Sequence, residues 1–106
     1  DGKPVFVDFT AAWCLTCQVN KRAVLHRDAV EKAFQDRKVT LLVADWTNKD
    51  PVIATQLEAL NRSGVPVYAL YKNGMKSPVL LPEILTEGIV LEALKDLPVA
   101  PVVAKH

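Results

Sequence analysis

Val5-Phe6-Val7-Asp8-Phe9-Thr10-Ala11-Ala12-Trp13-Cys14-Leu15-Thr16-Cys17 is a β-prone apolar run leading into two cysteines three residues apart. Val5 to Phe9 has the nearly unbroken apolar character of a strand covered on both faces, as in a sheet with helices above and below. Asp8 is its one discordant residue. A helical pattern follows from Cys14 to about Leu25, with Val19 and Ala23 four apart, so the cysteines open a helix directly after a buried strand.

Asp28 with Glu31 three residues later suggests a capping-box start to a second helical stretch through about Asp36. Val39 to Ala44 reads as a second buried strand, and Asp50-Pro51 as an N-cap followed by proline at the first position of a helix running to about Asn61. Gly64-Val65-Pro66 leads into a strand from Val67 to Tyr71, and Asn73-Gly74 signals a hairpin turn before Val79-Leu80-Leu81. Thr86 caps a last helix with apolar positions Ile89, Val90, Ala93, Leu94 and Leu97, which Pro98 ends. The order β, α, β, α, β, β, α predicts an α/β fold with a mixed central sheet, a parallel crossover followed by an antiparallel hairpin, and helices on both faces. Residues 1–97 form the expected domain and 98–106 a tail rich in Pro, Val and Ala; both ends look like excision points from something longer.

Composition narrows the function. A chain of 106 residues, half of them hydrophobic, is long enough for one core without staples or metals. Thirteen basic residues against twelve acidic ones, with no block of one sign, argue against nucleic acid and anionic membranes as partners. No apolar run approaches the roughly 20 residues of a membrane span, so the segment reads as soluble, without membrane insertion.

The two cysteines are too few for a disulfide framework, so their job is chemical or metal-binding. Structural zinc usually takes four Cys or His ligands, and beyond the pair the chain offers only His26 and His106, so no metal is expected. A static bridge rarely sits in so tight a loop at a helix start. Unpaired N–H groups and the positive end of the helix dipole favour Cys14 as thiolate, the form that attacks disulfides, and Cys17, one turn on, is placed to resolve the mixed disulfide. A buried Asp8 is expensive unless it is used; desolvation would raise its pKa and fit it to accept a proton from Cys17, directly or through water. Trp13, beside the nucleophile, would shield it and offer an aromatic contact to bound chains. Lys21, four residues after Cys17 and seven after Cys14, falls on their helical face, where its charge favours thiolate. His26 reads as a surface or capping residue, and Trp46 and the tyrosines as core or rim. Dithiol chemistry needs no cofactor, and none is expected.

Together, the strand bearing Asp8, Trp13-Cys14-x-x-Cys17 and Gly64-Val65-Pro66 resemble the thioredoxin superfamily over roughly residues 3 to 97. Gly2-Lys3-Pro4-Val5, Ala12-Trp13-Cys14-Leu15-Thr16-Cys17 and Ala44-Asp45-Trp46-Thr47 further resemble the C-terminal periplasmic domain of bacterial transmembrane thiol:disulfide interchange proteins, of the DsbD type and the copper-tolerance ScsB type. The resemblance implies an electron-relay reductase in the periplasm, a soluble domain of an inner-membrane protein. Its partners would be protein thiols and disulfides: a membrane-embedded cysteine pair as donor and periplasmic domains as acceptors. It also implies a thioredoxin-like fold, Cys14 as nucleophile, Cys17 as resolver, Asp8 as buried acid, and a cis-proline at Pro66 which, with Val65 and Trp13, holds the substrate chain. This sequence has Leu15-Thr16 where thioredoxin has Gly-Pro, and Lys21 where many relatives carry an acid. A disulfide oxidase or isomerase of the same fold, or a binding module without turnover, are the competing readings.

Overall fold

The computed structural model describes residues 3–72 and 77–97. β1 (Val5–Thr10) is an interior strand of a four-stranded sheet ordered β2-β1-β3-β4. It pairs in parallel with β2 (Thr40–Asp45), Val5 opposite Thr40, and antiparallel with β3 (Val67–Tyr71), Asp8 opposite Tyr68. β4 (Val79–Leu81) adds antiparallel to β3. This is the expected mixed sheet.

Strand alternation sends successive side chains to opposite faces. On one face Phe6, Tyr68 and Leu70 pack with Val30 and Phe34 of α2 (Asp28–Asp36) and with Val90 and Leu94 of α4 (Glu87–Leu94). The rings of Phe6 and Phe34 lie 5.2 Å apart, tilted rather than stacked. On the other face Phe9, Val67 and Ala69 pack against Leu57 of α3 (Pro51–Ala59), with Val7 and Ile53 alongside. Helices therefore cover both faces. The caps at α3 and α4 are those read from sequence: Asp50 accepts from the Val52 amide at 2.7 Å, and the Thr86 hydroxyl from the Ile89 amide at 3.0 Å. The Asn73-Gly74 turn, Pro98 and the tail lie outside the described residues.

Three local expectations change. The helix opened by the cysteines is not uniform: α1 (Leu15–Asn20) passes into a π-helical segment, Lys21–Leu25. Its buried side is Cys17, Asn20, Val24 and Leu25, whereas Val19, read as apolar packing, is 62% exposed. The widened π turn shifts which residues face the sheet, and a polar residue takes a core position. At α2, Arg27 is the N-cap and makes no side-chain cap bond; Asp28 is already helical and, with Glu31, complements the positive end of the helix. Finally, β2 is not the buried strand that its apolar run predicts but an edge strand, with Leu41, Leu42 and Val43 at 44, 51 and 58% exposure. An apolar run reports β preference and cannot tell an inner strand from an outer one.

Candidate active site

The cysteines sit where β1 ends. Thr10 closes the strand, Ala11 to Trp13 turn, and Cys14 becomes the N-cap of α1 with extended backbone, φ −91° and ψ 106°. The turn is closed by the Cys14 amide donating to the Ala11 carbonyl at 3.1 Å. Cys14 and Cys17 form a disulfide with their Cα atoms 5.2 Å apart. The Cys17 amide donates to Cys14 Sγ at 3.1 Å, the side-chain capping contact of a helix start made by sulfur. Cys14 is 8% exposed and Cys17 2%, so the first sulfur is the more open of two shielded ones.

Six residues before Cys14, Asp8 is 4% exposed on the same face of β1 as Phe6 and Thr10. Asp8 Oδ1 and Thr10 Oγ1 are buried with no hydrogen-bond partner from the protein. Burial pushes the Asp8 carboxyl up to about 6, against the opposing pull of Lys21 and His26. Lys21 thus stands at the α-to-π transition with its charge felt at Asp8. His26 is an exposed cap at the end of the π segment. Tyr68, opposite Asp8, is fully buried and its phenol is pushed up to about 12, chiefly by desolvation.

The structure brings Val65 to the pair, with Pro66 next to it in the chain. Val65 packs on the cluster of Ala11, Cys14 and Cys17, and the Val65–Pro66 peptide is cis. Trp13 is half exposed at 49%, its ring 6.1 Å from that of Trp46. Leu15 and Val19, at 82 and 62% exposure, extend an open apolar surface along α1.

Sequence reading assigned no role to two further groups. Asn20 is 2% exposed; its Nδ2 donates to the Tyr68 hydroxyl at 2.8 Å and the Glu83 carbonyl at 2.7 Å, and its Oδ1 accepts from the Leu85 amide at 3.2 Å. Its position three after Cys17, on the buried face, was the available signal. Thr47 accepts from the Ala12 amide and, through its carbonyl, from the Trp13 indole. The Asp45-x-Thr47 spacing of an Asx-turn was the signal there. Among the described residues no group of three or more His, Cys, Asp or Glu is arranged to hold a metal ion, and no helix is long and apolar enough to cross a membrane.

The family model described as thioredoxin-like matches residues 1–73. Over 78 residues, 74% of this chain, the sequence is 35% identical to the thiol:disulfide interchange protein DsbD of Vibrio cholerae serotype O1. Over 70 residues, 66% of the chain, it is 33% identical to the DsbD of Escherichia coli K12. The chain spans about 12% of the length of these curated relatives. Among solved structures, the C-terminal domain of Neisseria meningitidis DsbD in its oxidised form superposes with a TM-score of 0.69 at 21% identity, covering 91% of this chain and 81% of that one. A thioredoxin from Thermus thermophilus gives 0.71 at 17% identity, covering 88% and 72%. Those two likenesses speak to the fold.

Proposed function

Because the chain belongs to the thioredoxin-like family and carries a Cys14–Cys17 pair at a helix start, we propose that this thiol:disulfide oxidoreductase domain works as a reductase in an electron relay between protein dithiols. The observation that carries the reading is the Cys17 amide pointing at Cys14 Sγ, since a donor in that position stabilises the thiolate once the bridge is opened. The Cys14 thiolate attacks one sulfur of a partner disulfide, forming a mixed disulfide and releasing the other sulfur as thiolate. Cys17, losing its proton, attacks Cys14 Sγ, the partner leaves as a dithiol, and two electrons have passed from the domain to the partner. Asp8 takes the proton from Cys17, and a carboxyl titrating near 6 holds and returns it close to neutrality. Trp13, Val65 and Pro66 form the edge that receives an extended partner segment, and the open surface around them suits a protein better than a small molecule.

In its whole protein, the domain would be the periplasmic part of an inner-membrane chain, recharged by a membrane-embedded cysteine pair and discharged onto periplasmic domains. The likeness to proteins named thiol:disulfide interchange protein DsbD supports that placement.

The test is the equilibrium with glutathione together with trapping. A potential near the roughly −270 mV of thioredoxin supports a reductase, and one near the roughly −120 mV of a strong oxidant assigns an oxidase instead. Cys17→Ser should accumulate mixed disulfides with partners while Cys14→Ser accumulates none. The reverse pattern overturns the assignment of nucleophile and resolver.

A further inference from the structure

Between β1 and α1 the backbone turns through Ala11, Ala12 and Trp13, and the fold meets that turn with one residue from the far side of the sheet edge. The Ala12 amide donates to Thr47 Oγ1 at 2.8 Å, and Trp13 Nε1 donates to the Thr47 carbonyl at 2.9 Å. Thr47 is itself held: its amide donates to Asp45 Oδ1 at 2.9 Å, and its hydroxyl donates to the same oxygen. A hydroxyl has one proton, so with that proton on Asp45 its lone pairs face Ala12, and the chain of bonds has one direction. Asp45 is kept ionised by the same two bonds, which hold its carboxyl below the usual carboxylate range. A second arm comes from Lys49, whose backbone is left-handed at φ 54° and whose ammonium lies 5.3 Å from the Trp13 ring centroid and 5.6 Å from that of Trp46.

We propose that Thr47, fixed by Asp45, is a positioning residue for the Cys14 thiol, holding the Ala12-Trp13 turn so that Cys14 keeps its N-cap conformation when the disulfide is opened. In the oxidised domain the Cys14–Cys17 bond does that holding, so Thr47 adds little. In the dithiol it acts with the Cys14–Ala11 backbone bond and with Gln18, whose Nε2 donates to the Ala11 carbonyl at 3.1 Å, to keep Sγ at the Cys17 amide. The brace therefore acts mainly on the reduced form, and removing it makes the thiol less acidic and the domain more reducing, because a destabilised dithiol gives up its electrons more readily. The proposal rests on the oxidoreductase reading above.

The experiment compares the parent, Thr47→Val and Thr47→Ser in two measurements: the pH profile of Cys14 alkylation and the equilibrium with glutathione. Thr47→Val keeps the shape and loses both hydroxyl bonds, the one accepted from Ala12 and the one donated to Asp45. It should move the alkylation profile to higher pH and the equilibrium about twofold to tenfold toward oxidised protein, the range expected for losing the Ala12 bond, the one of the two that reaches the turn. Thr47→Ser should restore both. Asp45→Asn, a milder change at the anchor, should shift them in the same direction by less, and it serves if Thr47→Val does not fold. A Thr47→Val protein that melts lower while both readouts match the parent overturns the positioning role. A parent protein that does not exchange with glutathione at all overturns the oxidoreductase reading instead, so the two failures are distinguishable.

Discussion

The burial of Asp8 has a consequence for stability. Its carboxyl titrates near 3.8 in an unfolded chain and about 6 in the folded one, so between those values the folded state holds more protons than the unfolded. Stability is therefore highest at low pH with respect to this group, falls as pH rises from about 4 to about 6, and stays lowered above that, by on the order of 2–3 kcal/mol. Asp8→Asn, neutral throughout, should lose that slope in urea melts of the oxidised protein across pH 4 to 7 and should resolve mixed disulfides more slowly. Equal slopes in both proteins would mean that Asp8 is not desolvated. Lys21 opposes the burial of Asp8. Lys21→Glu should thus move the Asp8 slope to higher pH and, if the charge also reaches Cys14, move thiol alkylation the same way. High salt should shrink both effects, more so for the exposed path. An unchanged Asp8 slope would show the lysine pointing elsewhere.

At the scale of elements, the α1-to-π junction is fastened by Asn20. Its three hydrogen bonds join the helix that carries Cys17 to β3 through Tyr68 and to the segment before α4 through Glu83 and Leu85. Asn20→Leu leaves a buried phenol, carbonyl and amide without this partner and should cost about 3 kcal/mol, read as a lower urea midpoint at unchanged m. A loss below about 1 kcal/mol would mean that the junction is held by apolar packing alone. The sheet gives a paired comparison. Leu70 on β3 is fully buried while Leu42 on β2 is half exposed beside a cavity of about 500 Å³ that it lines with Val7, Phe9 and Leu60. Leu70→Ala should cost about 2–5 kcal/mol and Leu42→Ala less than about 1. Comparable losses would contradict the edge position of β2.

For the molecule as a whole, what was legible in the sequence was whatever local chemistry dictates. Strand runs, the Asp50-Pro51 start, the Thr86 cap and the placing of Cys14 and Cys17 after a strand each follow from neighbouring residues, and the structure has them. Burial of Asp8 was also legible, because an acid inside an apolar run has few other places to be. The edge position of β2 and the buried Asn20 were not, since both depend on which elements arrive beside them. Thr47 belongs to the same group. It is 35 residues from Ala12 and 34 from Trp13, as Glu83 is 63 from Asn20, and nothing in the spacing of the cysteines points to either.

That arrangement orders events in time. Cys14 and Cys17 leave the ribosome ahead of Thr47, Val65, Tyr68, Glu83 and Leu85, the distant groups that enclose and brace them. Until those groups arrive, the two thiols are ordinary cysteines of a flexible chain, with the acidity of free cysteine, about 8.5. Contacts of such long sequence separation carry a loop-closure cost that neighbouring residues do not. The early-synthesised part of the domain thus acquires its enclosure only when the later part is in place, and a nascent copy exchanges disulfides as a free cysteine does, without the brace that positions Sγ.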